Sequence, residues 1–213
     1  ILKDSLEAVQ LDSQKDTLAG DSIALADKFG SFANSATGPN QTSRLENDYF
    51  IIDFDSKGGK ISGVELKNYE KILIDDKHVE TKLPLRLLDD AANVWDISVP
   101  TIKGDLHTAD LNFQPTVTGN KIVFTAMGAS GEKIIQQYEL TQNPYEVRYQ
   151  LSIDPGDGSI SASNDAKLTW VNQLGKLERN SNFERSYSTV YFKEDSEGVD
   201  YCNCRKSVQE NLA

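Results

Sequence analysis

Between Tyr145 and Ile153 the chain reads Tyr-Glu-Val-Arg-Tyr-Gln-Leu-Ser-Ile, apolar at every odd position and polar at every even one. Side chains of an extended strand alternate between two faces, so this pattern buries one face and wets the other. A helix would scatter the same apolar residues around its circumference. One dry and one wet face is what an antiparallel sheet packed on a single side requires.

The same period recurs along most of the chain. Phe50, Ile52 and Phe54 alternate with Ile51, Asp53 and Asp55, then Ser56-Lys57-Gly58-Gly59-Lys60 offers a reversal before Ile61 to Leu66. Glycine accepts positive φ at little cost, so this stretch predicts two strands joined by a Gly-Gly turn. Further strands are expected at Lys121 to Met127, Lys133 to Leu140, Lys167 to Val171 and Ser188 to Lys193. Thr118-Gly119-Asn120, Gly128-Ala129-Ser130-Gly131, Asn143-Pro144 and Asp154-Pro155-Gly156-Asp157-Gly158 punctuate them with turn chemistry. Only Gly175 to Ser186 is read as an internal helix. Strands at such short spacing predict a mostly β fold, a sandwich of antiparallel strands with few short helices.

Residues Ile1 to Ser43 depart from this rule. Their only aromatic residues are Phe29 and Phe32, and Leu2, Leu6, Val9, Leu18 and Leu25 make a thin helical stripe. Such a segment buries too little apolar surface to offset its own ordering entropy. It reads as a tether or linker, partly helical and docked on the main domain. The domain proper is expected at residues 44–200, and residues 201–213 read as a C-terminal tail.

Charge narrows the function. Lys plus Arg number 22 against 33 Asp plus Glu, a formal net charge of -11. Nucleic acid and anionic lipid both need a clustered basic surface, and both are disfavoured. Apolar runs such as Phe50-Ile51-Ile52 fall far short of the roughly 20 residues that span a bilayer. The chain begins at Ile1 with no signal-peptide pattern, as expected of an excised fragment or a mature form.

No catalytic, cofactor or metal site is expected. Cys202 and Cys204 are too close in sequence for an unstrained bridge, and the histidines that zinc would need, His78 and His107, are distant. The two cysteines read as unpaired thiols in a mobile tail. Both histidines lie in charged, turn-like segments and read as surface residues rather than members of a Ser-His-Asp site. Asp154-Pro155-Gly156-Asp157-Gly158 lacks the ligand spacing of a calcium loop and reads as a solvated hairpin turn, as does Asp89-Asp90. Trp95 and Trp170 could line a carbohydrate or peptide groove, but a sandwich interior buries large aromatics readily, and core packing is the favoured reading. The run Phe183 to Lys193 passes from a polar, helix-like stretch into an aromatic strand, a seam between helix and sheet.

Several segments in order resemble a known family. They are Leu45 to Phe54, Lys57-Gly58-Gly59-Lys60-Ile61, Val64-Glu65-Leu66-Lys67-Asn68-Tyr69 and Pro84-Leu85-Arg86-Leu87-Leu88, followed by Leu168-Thr169-Trp170, Phe183-Glu184-Arg185 and Tyr187 to Lys193. Together they resemble the large periplasmic domain of YidC family membrane protein insertases, across most of Arg44 to Asp200. The resemblance implies a β-supersandwich related to galactose mutarotase, placed between the first two transmembrane helices of an inner-membrane parent and facing the periplasm. It implies SecDF, the SecYEG translocon and nascent membrane proteins as partners. In that reading residues 1–43 leave the first helix, and the chain stops at Ala213 before the interfacial segment and insertase core, so no insertase residue carries over. The function expected is a non-enzymatic domain of an insertase or chaperone. The alternative is a mutarotase-like carbohydrate-binding module or sugar epimerase, for which only His78 and His107 could act as the acid. A structural module with no ligand is the third reading.

Overall fold

The computed structural model of the protein describes residues 22–74, 77–88, 92–156, 160–161, 165–173, 175–177, 180–193 and 198–203. Thirteen strands are laid out as β1 (Thr42–Glu46), β2 (Phe50–Asp55), β3 (Lys60–Ile74), β4 (Glu80–Leu87), β5 (Val94–Thr101), β6 (Gly104–His107), β7 (Gln114–Thr118), β8 (Lys121–Met127), β9 (Lys133–Leu140), β10 (Val147–Asp154), β11 (Lys167–Val171), β12 (Thr189–Lys193) and β13 (Val199–Asn203). They form four sheets, ordered β1-β2-β3-β4, β10-β9-β8-β7, β11-β5-β6 and β12-β13. Every strand pairing is antiparallel. The expected β sandwich is what forms.

The alternating sequences build the core. Phe50, Ile52 and Phe54 of β2 are buried, as are Ile122, Phe124 and Ala126 of β8 and Ile134, Tyr138 and Leu140 of β9. The Phe54 ring lies 6.0 Å from Phe124 and 5.1 Å from Tyr138, so the first two sheets interlock through aromatic side chains. Ile97, Val99 and Leu106 bring the third sheet to the same core, joined by Leu111 and Phe113 from the connection before β7. Each such side chain contributes roughly 1.5–3 kcal/mol when taken fully from water.

On the outer face of the first sheet, Asp53 sits between two guanidinium groups. Arg44 Nε lies 2.7 Å from Asp53 Oδ1, and Arg86 reaches Asp53 Oδ2 at 3.3 Å and Glu65 Oε2 at 3.4 Å. Asp53 faces Gly63 in the β2–β3 register, and a Cβ on Gly63 would come within 3.1 Å of the Arg86 guanidinium. The glycine leaves the gap through which Arg86 crosses. Bonding to Arg44 holds the Asp53 carboxyl below the usual aspartate range, outweighing its partial burial. A depressed carboxyl stabilises the fold above its unfolded value and loses that contribution as pH falls through its folded one. Asp53→Asn is therefore expected to lower the urea midpoint at pH 7 and to flatten its decline below about pH 4. An unchanged acid limb in the variant would show that the cluster contributes nothing.

Several elements differ from the sequence reading. The strand expected from Tyr145 begins at Val147, because Tyr145 after Pro144 adopts a left-handed φ of 61°. Its ring turns to Tyr49, 5.3 Å away. The helix expected over Gly175 to Ser186 is confined to α2 (Ser181–Tyr187). Asn180 starts it, its side-chain oxygen accepting the backbone N–H groups of Asn182 and Phe183. β3 continues past Leu66 to Ile74 across an irregularity in its pairing with β4, making a long hairpin. Pro84 is tolerated in β4 because that strand is at the edge of its sheet.

Regular structure also lies on both sides of residues 44–200. Residues 22–29 form helix α1, followed by a 3-10 helix at Gly30–Ala36 whose Phe32 is only 1% exposed. At the other end, β13 carries Tyr201 and Cys202 into the segment read as a tail, with Cys202 opposite Val190. The Cys202 thiol is free and half-buried in a strand, which corrects its placement in a mobile tail. Cys204 and residues 1–21 lie outside the described residues.

Candidate functional site

The Gly58-Gly59 reversal between β2 and β3 is driven into the second sheet rather than into solvent. Gly58 and Gly59 have φ of 84° and 60°, and both are buried. The Gly58 carbonyl accepts Gln136 Nε2 at 2.8 Å, and the Gly59 carbonyl accepts the Tyr138 hydroxyl at 2.8 Å. A Cβ on Gly59 would stand 2.7 Å from Gln136 Nε2 and 3.2 Å from both Phe113 and Phe124. Only glycine fits there.

Gln136 then serves two aromatic residues above it. Its Oε1 accepts the Tyr149 hydroxyl at 3.0 Å and the Trp95 indole N–H at 3.4 Å, while the whole residue is 0% exposed. Trp95 meets Tyr149 edge to face at 5.2 Å and Trp170 at 5.6 Å. Burial pushes the Tyr138 and Tyr149 phenols well above the ordinary tyrosine value. Both hydroxyls therefore stay protonated and keep donating to the floor.

Tyr138, Tyr149 and the two tryptophans line a cleft of about 390 Å³ where three sheets meet. β2 and β3 supply Asp55, Lys60 and Ser62; β9 and β10 supply Tyr138, Val147 and Tyr149; β5 and β11 supply Trp95 and Trp170, with Asn93 and Asn172 beside them. Trp170 donates its indole N–H to Asn172 Oδ1 at 2.9 Å, and Asn93 Oδ1 accepts the Gln173 backbone N–H.

The core reading of the two tryptophans is overturned for Trp170 and weakened for Trp95. They face one another in the β5–β11 register, Trp170 is 61% exposed, and Trp95 is half-buried on the cleft wall. β11 is an edge strand with every residue exposed, so no layer among the described residues covers its tryptophan.

The other residues weighed from sequence do not gather. His78 is exposed with a left-handed φ of 63°, and His107 is exposed with Nδ1 2.6 Å from Asp96 Oδ2. Asp96 Oδ1 in turn accepts the Ala109 N–H, and neither histidine lines the cleft. Asp154 Oδ1 accepts the Gly156 N–H as a turn would, whereas Asp157, Gly158, Asp89 and Asp90 lie outside the described residues. Among the described residues no three His, Cys, Asp or Glu side chains cluster as metal ligands, and no helix is long and apolar enough to cross a membrane.

Sequence reasoning missed Gln136, Tyr138, Tyr149, Asn93 and Asn172. For Gln136 a signal existed. It occupies an inward position between Ile134 and Tyr138, where a polar side chain needs a buried partner.

Comparison with known proteins agrees with the pattern of residues. A family model described as YidC periplasmic domain matches residues 42–211. Membrane protein insertase YidC of Phocaeicola vulgatus is 25% identical over 208 residues, covering 97% of this chain and 31% of that protein. The Parabacteroides distasonis protein of the same name is 26% identical over 193 residues, covering 88% and 29%. That of Chlorobaculum tepidum is 29% identical over 170 residues, covering 73% and 27%. The chain thus spans about a third of the length of these curated relatives. No solved structure matches it. With a family model running through all the strands just described, the chain belongs to the YidC periplasmic domain family.

Proposed function

We propose that this domain serves a membrane protein insertase as a non-catalytic contact surface, engaging SecDF, the SecYEG translocon and nascent membrane proteins. Membership of the family puts it on the periplasmic side of the inner membrane. The observation that carries the proposal is the match over residues 42–211. A supersandwich related to galactose mutarotase, with a chaperone role toward emerging chains, belongs to the same reading.

The β3–β4 hairpin offers the surface such a role needs. Tyr69, Ile72, Leu73, Val79 and Leu83 are between 41% and 57% exposed along it, and β4 is the last strand of its sheet among the described residues. An edge strand beside exposed apolar side chains suits strand addition by an extended partner segment.

A photo-crosslinking side chain at position 72 or 83 of the full-length insertase, in native membranes, is expected to give adducts with Sec components or with a radiolabelled nascent membrane protein. The exposed loop position 102 is the control. Adducts equally strong at position 102, or none at 72 and 83, would remove the hairpin from the proposal. Wild-type insertion of client proteins after deletion of residues 42–203 would remove the contact role altogether.

A further inference from the structure

We propose that the cleft between β10 and β11 binds a neutral saccharide ring, with Trp95 and Trp170 as its platform. This inference is independent of the insertase reading, and either can fail alone.

The aromatic walls offer faces rather than donors. The polar atoms of Trp95, Tyr149, Tyr138 and Trp170 are all engaged, the first two by Gln136, the third by Gly59 and the last by Asn172. What the rings present to the cleft is their π surface and C–H edges, which receive polarised C–H groups. Trp170 is held in one orientation by its bond to Asn172 while remaining largely open to solvent.

The rim carries balanced polar groups beside the apolar side chains of Ile61, Val94 and Val147. Asp55 and Lys60 oppose each other in the β2–β3 register, and Ser62 and Asn93 complete it. Asn93 Nδ2 is buried with no hydrogen-bond partner among the described residues. A buried amide N–H without an acceptor is rare. An apolar side chain entering the cleft would desolvate this rim without pairing it, at a cost for each group. An anion would meet Asp55 on a chain of net charge -11, and a cation would meet Lys60. A pyranose carries a C–H face for the indoles and hydroxyls that both donate to Asp55 and accept from Lys60. The volume of about 390 Å³ lies in the range of small-molecule sites. Binding without turnover is expected, because among the described lining residues Asp55 is the one carboxylate and glycosidic chemistry needs a pair.

The two tryptophans are the only ones in the chain, so their indole N–H resonances report the site directly. Titration of the isotope-labelled domain with glucose, N-acetylglucosamine or maltose, up to tens of millimolar, is expected to shift both resonances saturably for at least one sugar. Trp170→Ala removes an exposed side chain, so its urea midpoint should stay close to wild type while affinity falls about tenfold. Tyr191→Ala, exposed on β12 and outside the cleft lining, is expected to bind as wild type. Absence of saturable shifts with all three sugars would overturn the proposal. So would unchanged affinity in Trp170→Ala, or saturable shifts produced by the tripeptide Ala-Phe-Ala but by no sugar.

Discussion

Gly59→Ala is expected to cost about 3–4 kcal/mol of folding stability, a large share of what a domain of this size possesses. Two effects add. The left-handed φ of 60° penalises any L side chain by roughly 1–2 kcal/mol. The new methyl would also press on Gln136, Phe113 and Phe124, and overpacking of a filled core costs typically 1–3 kcal/mol. Phe124 Cβ is fixed to its strand and cannot swing aside, so the Gly-Gly reversal must lift. Lifting it stretches the bonds from Gln136 and Tyr138 and disturbs the floor beneath Trp95.

Gly119→Ala provides the internal standard. Gly119 has nearly the same φ, 58°, at the β7–β8 turn, but nothing lies within 4 Å of its added Cβ. It should show the backbone cost alone, about 1 kcal/mol. Urea unfolding of both variants, compared at equal m-value, separates strain from close approach. Equal losses would mean that the turn does not penetrate the second sheet as described.

How much of this was readable beforehand depends on the range of the interaction. β8, β9 and β11 have the boundaries their alternation implied, because period two and flanking turn residues are local properties. The Gly-Gly turn was legible for the same reason, although its depth was not: that depends on Gln136 and Phe124, far away in the chain. Trp170 misled because burial follows sheet order. Among the described residues its strand pairs only with β5 and forms an edge, and Lys-Leu-Thr-Trp-Val carries no proline to mark an edge strand. α2 began later than its composition suggested because one side chain, Asn180, sets its start. The cleft itself draws on residues from Asp55 to Asn172, and only the two tryptophans announced themselves as candidates. Gln136 could have been suspected from its inward position, but its partners could not.

Phe32→Ala is expected to cost about 3–4 kcal/mol, the range for emptying a buried phenylalanine site. The importance of this residue was hidden in a segment whose apolar stripe is too thin to fold alone. Its docking is nonetheless specific. The Ala129 N–H donates to the Ser31 carbonyl at 2.9 Å, the Ser35 hydroxyl donates to the Met127 carbonyl at 2.9 Å, and Phe32 joins the main core cluster. The segment thus borrows a core built by later strands, which is how a stretch so poor in large apolar groups offsets its ordering entropy. Ile23→Ala, on a residue 64% exposed in α1, should change stability by less than about 0.5 kcal/mol. A chain beginning at residue 42, where the family match begins, should lose at least as much stability as Phe32→Ala. If that truncated chain instead unfolds at the wild-type urea midpoint, residues 22–41 are a tether after all and the domain begins at β1.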